Sequence, residues 1–335
     1  MADQAIEIRA NWQQLLTGAI SDPLELCRLL DLDLKTLPPG HPLLSKFPVR
    51  VPGPFLSRIE RGNPTDPLLL QVLPATAEAD TVPGFTNDPL EETDYSPAPG
   101  ILCKYDGRAL LLVTSSCAIH CRYCFRRHFP YSDNRLGKQQ WQKSLAWIEE
   151  NTNITEIIFS GGDPLTLPDD YLEWFLETLA GFSHVERIRI HTRLPIMIPQ
   201  RVTRSLCRIL ANPRFRTILV LHSNHAQEFD EHVDSVCAML KQSNVVLLNQ
   251  SVLLKGINNS CDALSDLSER MFAAGVLPYY LHMPDKVAGS THFYVDEHEA
   301  LTLVRQLQAG LPGYLVPRLV QEVPGEASKT LITGV

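Results

Sequence analysis

The stretch Cys117-Ala118-Ile119-His120-Cys121-Arg122-Tyr123-Cys124 comes directly after an apolar, strand-like run, Leu110 to Thr114, and places three thiols within eight residues. Three thiolates at this spacing can ligate three irons of a [4Fe-4S] cluster and leave the fourth iron without a protein ligand, open to chemistry. A structural zinc site is the competing reading, since His128 could complete a Cys3His set. Structural zinc ligands usually come as two separated pairs, however, whereas these thiols share one loop.

Working outward, the chain alternates short apolar runs with longer amphipathic ones. Strands are expected at Leu110 to Thr114, Glu156 to Ser160, Arg187 to His191, Thr217 to His222, Val245 to Gln250 and Val276 to His282. Helices are expected at Lys138 to Glu150, Asp169 to Ala180, Pro199 to Leu210, Gln227 to Leu240, Cys261 to Ala274 and Asp296 to Gln308. This alternation implies an α/β fold with a parallel sheet and right-handed crossovers. Six units fall short of the eight that close a barrel, so a partial, open β/α barrel is expected, with its site at the C-terminal ends of the strands. Residues 1 to about 45 look helical, with Trp12, Leu15, Leu16 and Ile20 at helical spacing and Asp22-Pro23 as a cap followed by proline. Of 25 prolines, 13 lie between Pro38 and Pro99, which predicts irregular, wrapping chain with short helices. The expected division is an N-terminal helical and Pro-rich segment over 1–100, the barrel over 101–310 and a C-terminal segment over 311–335.

Net charge -8 and pI near 5.8 argue against a nucleic-acid partner. The N-terminus lacks the basic and apolar regions of a signal peptide, and no apolar run reaches the ~20 residues that span a bilayer. A cytoplasmic protein without membrane contact is expected, with its eight cysteines reduced. Cys27, Cys103, Cys207, Cys237 and Cys261 stand alone and read as small buried hydrophobes.

The triplet, with Tyr123 before its last cysteine, resembles the hallmark of the radical S-adenosylmethionine (SAM) superfamily. Ser160-Gly161-Gly162-Asp163 after the second strand resembles its glycine-rich SAM-contacting motif, where glycines allow close backbone approach. The resemblance extends to the lysine 2,3-aminomutase family through Asp66-Pro67-Leu68, Gln71-Val72-Leu73-Pro74, Asp88-Pro89-Leu90, Ser96-Pro97-Ala98-Pro99-Gly100, Cys124-Phe125-Arg126-Arg127, His191-Thr192-Arg193-Leu194-Pro195 and Asn249-Gln250-Ser251-Val252-Leu253-Leu254. It implies a [4Fe-4S] cluster on Cys117, Cys121 and Cys124, SAM on the open iron near Tyr123, Ser160, Gly161, Gly162 and Asp163, and pyridoxal 5'-phosphate (PLP) on Lys329 of Pro324-Gly325-Glu326-Ala327-Ser328-Lys329. It also implies that Arg126 takes the substrate α-carboxylate through its bidentate fork, and that Asp285 and Glu322 take the ε-ammonium of L-lysine. Here Glu322 stands where the family has aspartate, and Glu326, Ala327 and Ser328 replace three glycines.

The resemblance implies an isomerase that converts L-lysine to (R)-β-lysine, drawing electrons from a donor such as flavodoxin or ferredoxin. The length, Glu322 and the Glu-Ala-Ser segment are similar to bacterial paralogues that supply β-lysine to elongation factor P and its ligase. Homo-oligomerisation is compatible with this reading. The alternatives are a 2,3-aminomutase for glutamate or arginine, which Asp285 disfavours by repelling an acidic substrate side chain, and a non-catalytic, zinc-stabilised binding module.

Overall fold

The apolar runs become the strands of one nine-stranded sheet, ordered β1 to β9 along the chain, in a computed structural model described over residues 11–33, 47–128 and 136–334. Strand β1 (Ile101–Leu102) pairs antiparallel with β2 (Arg108–Thr114). From β2 onward β3 (Glu156–Gly161), β4 (Arg187–Thr192), β5 (Arg216–His222), β6 (Val246–Val252), β7 (Leu277–His282) and β8 (Arg318–Gln321) run parallel. Strand β9 (Thr330–Leu331) returns antiparallel on β8. The two ends of this order do not pair with each other, so the sheet stays an open barrel. β3 is buried at nearly every position, which explains why it reads as a continuous apolar run rather than an alternating one.

Before the sheet come α1 (Trp12–Thr17), α2 (Pro23–Leu29) and the single turn α3 (Gly53–Leu56). Asp22 caps α2 by accepting from the Leu24 amide at 2.9 Å, with Pro23 in the first turn, as expected. The parts of the expected N-terminal helix and Pro-rich stretch at 1–10 and 34–46 lie outside the described residues. The rest of that stretch is turns and short 3-10 segments at Thr76–Ala79 and Glu92–Tyr95. It is packed on the barrel: Trp12, Leu26, Phe55 and Leu69 share one apolar cluster with Leu111, Phe159 and Phe175.

Six helical crossovers connect the parallel strands or follow them: α4 (Lys138–Glu150), α5 (Asp169–Ala180), the short α6 (Leu194–Met197) with α7 (Arg204–Leu210), α8 (Glu231–Gln242), α9 (Cys261–Ala273) and α10 (Glu297–Gly310). Between α4, β3 and α5 the rings of Trp141, Phe175 and Phe159 meet edge-on at 5.1 and 5.5 Å. Truncating such a buried aromatic to alanine costs about 3–5 kcal/mol. Two expected helices are shorter than the sequence suggests. Thr203 and Asp230 accept from the amides of Leu206 and Val233, so each starts a helix where continuous periodicity runs through it. Strands β1, β8 and β9 add to the expected set, being too short to carry a periodic signal. Among the described residues no helix is long and apolar enough to cross a membrane.

Candidate functional site

The C-terminal ends of the parallel strands surround one cavity of about 630 Å³, a size suited to small-molecule ligands. All the site residues singled out in the sequence line it: Cys117, Cys121, Tyr123, Cys124 and Arg126 from the loop after β2, Ser160, Gly161, Gly162 and Asp163 at and after the end of β3, Asp285 after β7, Glu322 after β8 and Lys329 before β9. The isolated cysteines are not among its lining residues; Cys27, Cys207 and Cys237 are buried and Cys103 and Cys261 partly so.

Burial pushes the Cys124 thiol up to about 11, with the charge of Cys121 adding to the effect. Burial, and then Cys124, push Cys117 well above the ordinary thiol range. Three soft donors that repel one another as anions are relieved by a soft cation, so this donor set fits an iron-sulfur cluster. His128, the fourth ligand of the zinc reading, instead meets the Ala288 carbonyl at 3.0 Å.

The glycine shelf has a reason the sequence does not disclose. A Cβ on Gly162 would stand 2.3 Å from the Ser116 carbonyl oxygen, and one on Gly161 2.5 Å from that of Thr114. Both glycines are needed because the end of β3 presses against the backbone of the cysteine loop; Gly162 and Asp163 also donate their amides to Thr114 and Ser116, each at 2.7 Å. The Asp163 carboxylate is fully engaged by the protein, accepting from the Leu165 amide at 3.0 Å, the Thr192 hydroxyl at 2.7 Å and the Arg193 amide at 2.8 Å. Asp163 therefore ties the turn after β3 to the end of β4.

Arg193, whose role the sequence leaves open, is the hub of a buried network. Its Nη1 donates to Cys121 Sγ at 2.8 Å and to the Tyr123 hydroxyl at 2.7 Å, while Nη2 donates to Gln71 at 2.6 Å and Glu228 at 2.9 Å. Tyr123 also accepts from Asn224 at 2.6 Å. The cysteine loop is thereby fastened to β4, to the turn after β5 and to the N-terminal segment.

Arg126 lies at the cavity wall, but its fork is already engaged. Nε and Nη2 each donate to Glu92 at 2.8 Å, and Nη1 donates to Ser160 and the Gly161 carbonyl, both at 3.1 Å. A substrate carboxylate at Arg126 has to compete with Glu92, a partner from the Pro-rich stretch that sequence alone does not suggest.

At the other end Lys329 Nζ stands 2.5 Å from Glu322 Oε2, and Lys104 Nζ stands 3.1 Å from Oε1. Burial alone would raise the Glu322 carboxyl, but Lys329 and Lys104 outweigh it and hold it down to about 2. Asp285 has the opposite fate: burial, and then the Glu322 charge, push it up to about 7 against the pull of Lys329. His282 is pushed down to about 3 by burial and then by Lys329, and His191 is also driven well below its usual range by burial. Both are neutral imidazoles facing the cavity. Arg108, Arg189 and Arg318 also line the cavity; Arg189 Nη2 donates to Glu156 at 3.0 Å, while among the described residues its buried Nε has no hydrogen-bond partner. Three guanidinium groups, one with an orphaned donor, beside a lysine form a set suited to a phosphorylated aldehyde.

A family model described as the radical SAM superfamily matches residues 111–220, from within β2 into β5. An L-lysine 2,3-aminomutase of Escherichia coli is 48% identical over 323 residues, covering 96% of this chain and 94% of the relative. One of Haemophilus influenzae is 45% identical over 329 residues, covering 98% and 97%. One of Clostridium subterminale is 34% identical over 278 residues, covering 82% of this chain and 66% of the relative. With the cysteine loop, the open barrel and matches that run nearly end to end, the chain belongs to the lysine 2,3-aminomutase family of the radical SAM superfamily, a family of isomerases.

Proposed function

We propose that this protein is a radical SAM, PLP-dependent L-lysine 2,3-aminomutase that forms (R)-β-lysine. The observation that carries the reading is a single cavity with the cysteine triplet at one end and, at the other, Lys329 facing two carboxylates. When bound, the cluster with SAM supplies a hydrogen-abstracting radical, and PLP supplies the conjugated π-system across which nitrogen moves. Cys117, Cys121 and Cys124 would hold the cluster, with the Ser160–Asp163 turn and Tyr123 shaping the SAM side. Lys329 would hold PLP, with Arg108, Arg189 and Arg318 around its phosphate.

The chain's own contribution is placement. Arg126 binds the substrate carboxylate in exchange for part of its hold on Glu92, while Asp285 and Glu322 attract the ε-ammonium. These two contacts at opposite ends of lysine fix the β-carbon along the line between cysteine loop and Lys329. The apolar part of the lining, with the neutral His191 and His282, keeps water from the reacting centre. Two acids in the side-chain pocket favour lysine over glutamate by charge.

The functional division runs along the same lines: a wrapping segment over 1–100, the barrel over 101–310 and a segment over 311–335 that carries Glu322 and Lys329. A flavodoxin- or ferredoxin-like electron donor and delivery of β-lysine to elongation factor P, in a cytoplasmic enzyme able to form homo-oligomers, complete the proposal. Reduced, cluster-loaded protein incubated with SAM, PLP and a panel of amino acids tests it. β-Lysine from lysine is expected, and its absence refutes the substrate assignment. Loss of the gene is expected to remove the mass of β-lysine from elongation factor P, and an unchanged mass refutes that role.

A further inference from the structure

The register of the last hairpin forces a contact between Lys329 and Glu322. Val320 pairs with Leu331 and Gln321 with Thr330 across β8 and β9, so the next rung sets Glu322 opposite Lys329. Side chains directly opposed on an antiparallel pair have Cβ atoms about 4.5–5.5 Å apart, which brings ammonium and carboxylate together at 2.5 Å. Gly325, with φ +85°, turns the intervening segment, and its amide is held by the Tyr95 hydroxyl at 2.7 Å. Glu322 also reaches Lys104 at 3.1 Å through its other oxygen, so the glutamate length serves two ammonium groups at once. Asp285 lines the same end of the cavity. The place where two acids converge for a substrate ammonium is thus already filled by an ammonium of the chain.

We propose that, in the protein without a bound aldehyde, Lys329 occupies the substrate's ammonium site at Glu322 Oε2, so that an aldehyde must draw Lys329 away before the site admits a diamine. The inference rests on the lysine and PLP reading above and adds an order of binding, aldehyde before diamine. The drawing-away is balanced: the Lys329 ammonium releases one proton, its nitrogen forms a C=N bond with the aldehyde carbon, and the aldehyde oxygen leaves as water with the two remaining N–H hydrogens. Glu322 Oε2 then loses Lys329, while Oε1 keeps Lys104 and the carboxylate keeps its hydrogen bond with Tyr105. The neutral His282 beside the pair brings no cation to refill the place.

Calorimetric titration of L-lysine into cluster-loaded protein stripped of PLP tests this, with wild type compared with Lys329→Met. The stripped wild type is expected to bind lysine roughly tenfold or more weakly than the variant, since an occupied site lowers apparent affinity by its free fraction. Adding Glu322→Gln to Lys329→Met is expected to abolish the gain. Lys329→Gln provides a second neutral variant, and circular dichroism establishes that each is folded. Equal affinity in the stripped wild type and the variants overturns the inference. So does a lack of binding by the stripped variants while the PLP-loaded wild type responds to lysine. A loaded wild type with no calorimetric or spectral response to lysine defeats the substrate reading itself, and this inference with it.

Discussion

Replacing Arg193 by methionine removes the hub that joins the cysteine loop to the rest of the cavity, and the structure sets the size of the effect. The Glu228 side chain is fully buried and Arg193 is 7% exposed, so the pair is shielded from solvent and the rule that surface ion pairs contribute little does not apply. Breaking a buried pair by removing one partner typically costs about 3–5 kcal/mol, because the survivor stays charged and desolvated. Glu228 retains other donors, the amides of Asn224 at 2.8 Å and His225 at 3.2 Å and the Gln71 side chain at 3.3 Å. The expected loss is therefore near the lower bound, about 3 kcal/mol. Anaerobic urea denaturation of the cluster-loaded protein measures it. The companion variant Arg193→Met with Glu228→Gln no longer buries an unpaired charge and is expected to recover about half of the loss or more. A single-variant cost below about 1 kcal/mol, or no recovery in the double variant, would show that Arg193 is held by packing rather than by this ion pair.

Gly162→Ala is expected to strip most of the iron from anaerobically reconstituted protein, because the new Cβ meets backbone of the cysteine loop, at 2.3 Å from the Ser116 oxygen, rather than a side chain that can swing aside; wild-type iron and sulfide content in the variant would contradict this. Asp285, raised to about 7, is expected to make the KM for lysine rise up to about tenfold as pH falls from 8 to 6, since the protonated acid no longer attracts an ammonium; a pH-independent KM would count against its role. Because the folded-state value lies above the ordinary carboxylate range, the stability Asp285 contributes is fully present below about pH 4 and is lost as pH rises through about 7. Asp285→Asn is accordingly expected to raise the melting temperature of the substrate-free protein at pH 8 relative to pH 5, and an identical shift at both values would refute the raised carboxyl.

The part of this molecule that is legible in its sequence is the local part. The three cysteines sit in one loop, and α4 and α5 have the bounds that periodicity sets, Lys138–Glu150 and Asp169–Ala180, because each carries its own amphipathic stripe. The open barrel is legible from the count of units, and among the described residues six crossovers join the parallel strands. Contacts created by pairing across the barrel are not legible. Lys104 and Glu322 are 218 residues apart and touch only because the turn after β1, at one edge, and the end of β8, next to the other edge, are curved toward one cavity by the open sheet. Glu92 reaches Arg126 from a stretch whose prolines signal only irregular chain.

The same distinction explains why residue type and residue role diverge at this site. Gly161, Gly162 and Asp163 read in the sequence as groups facing a ligand, yet the contacts that demand these residues are to the protein itself: the backbone of the cysteine loop for the glycines, and Thr192 and Arg193 for the aspartate. On the proposed reading this turn holds a ligand beside the cysteine loop and has to be rigid before it can be selective, and rigidity is what those contacts supply. Lys329 is the converse case. Its sequence signal is a short Pro-Gly segment, while the β8–β9 register sets it opposite a carboxylate and gives a surface-like residue a defined partner. The fixed contacts thus gather around the cysteines, where a cluster must not move. The contact that the proposed chemistry has to break, Lys329 on Glu322, lies beside a two-residue edge strand, where the sheet holds its chain least tightly.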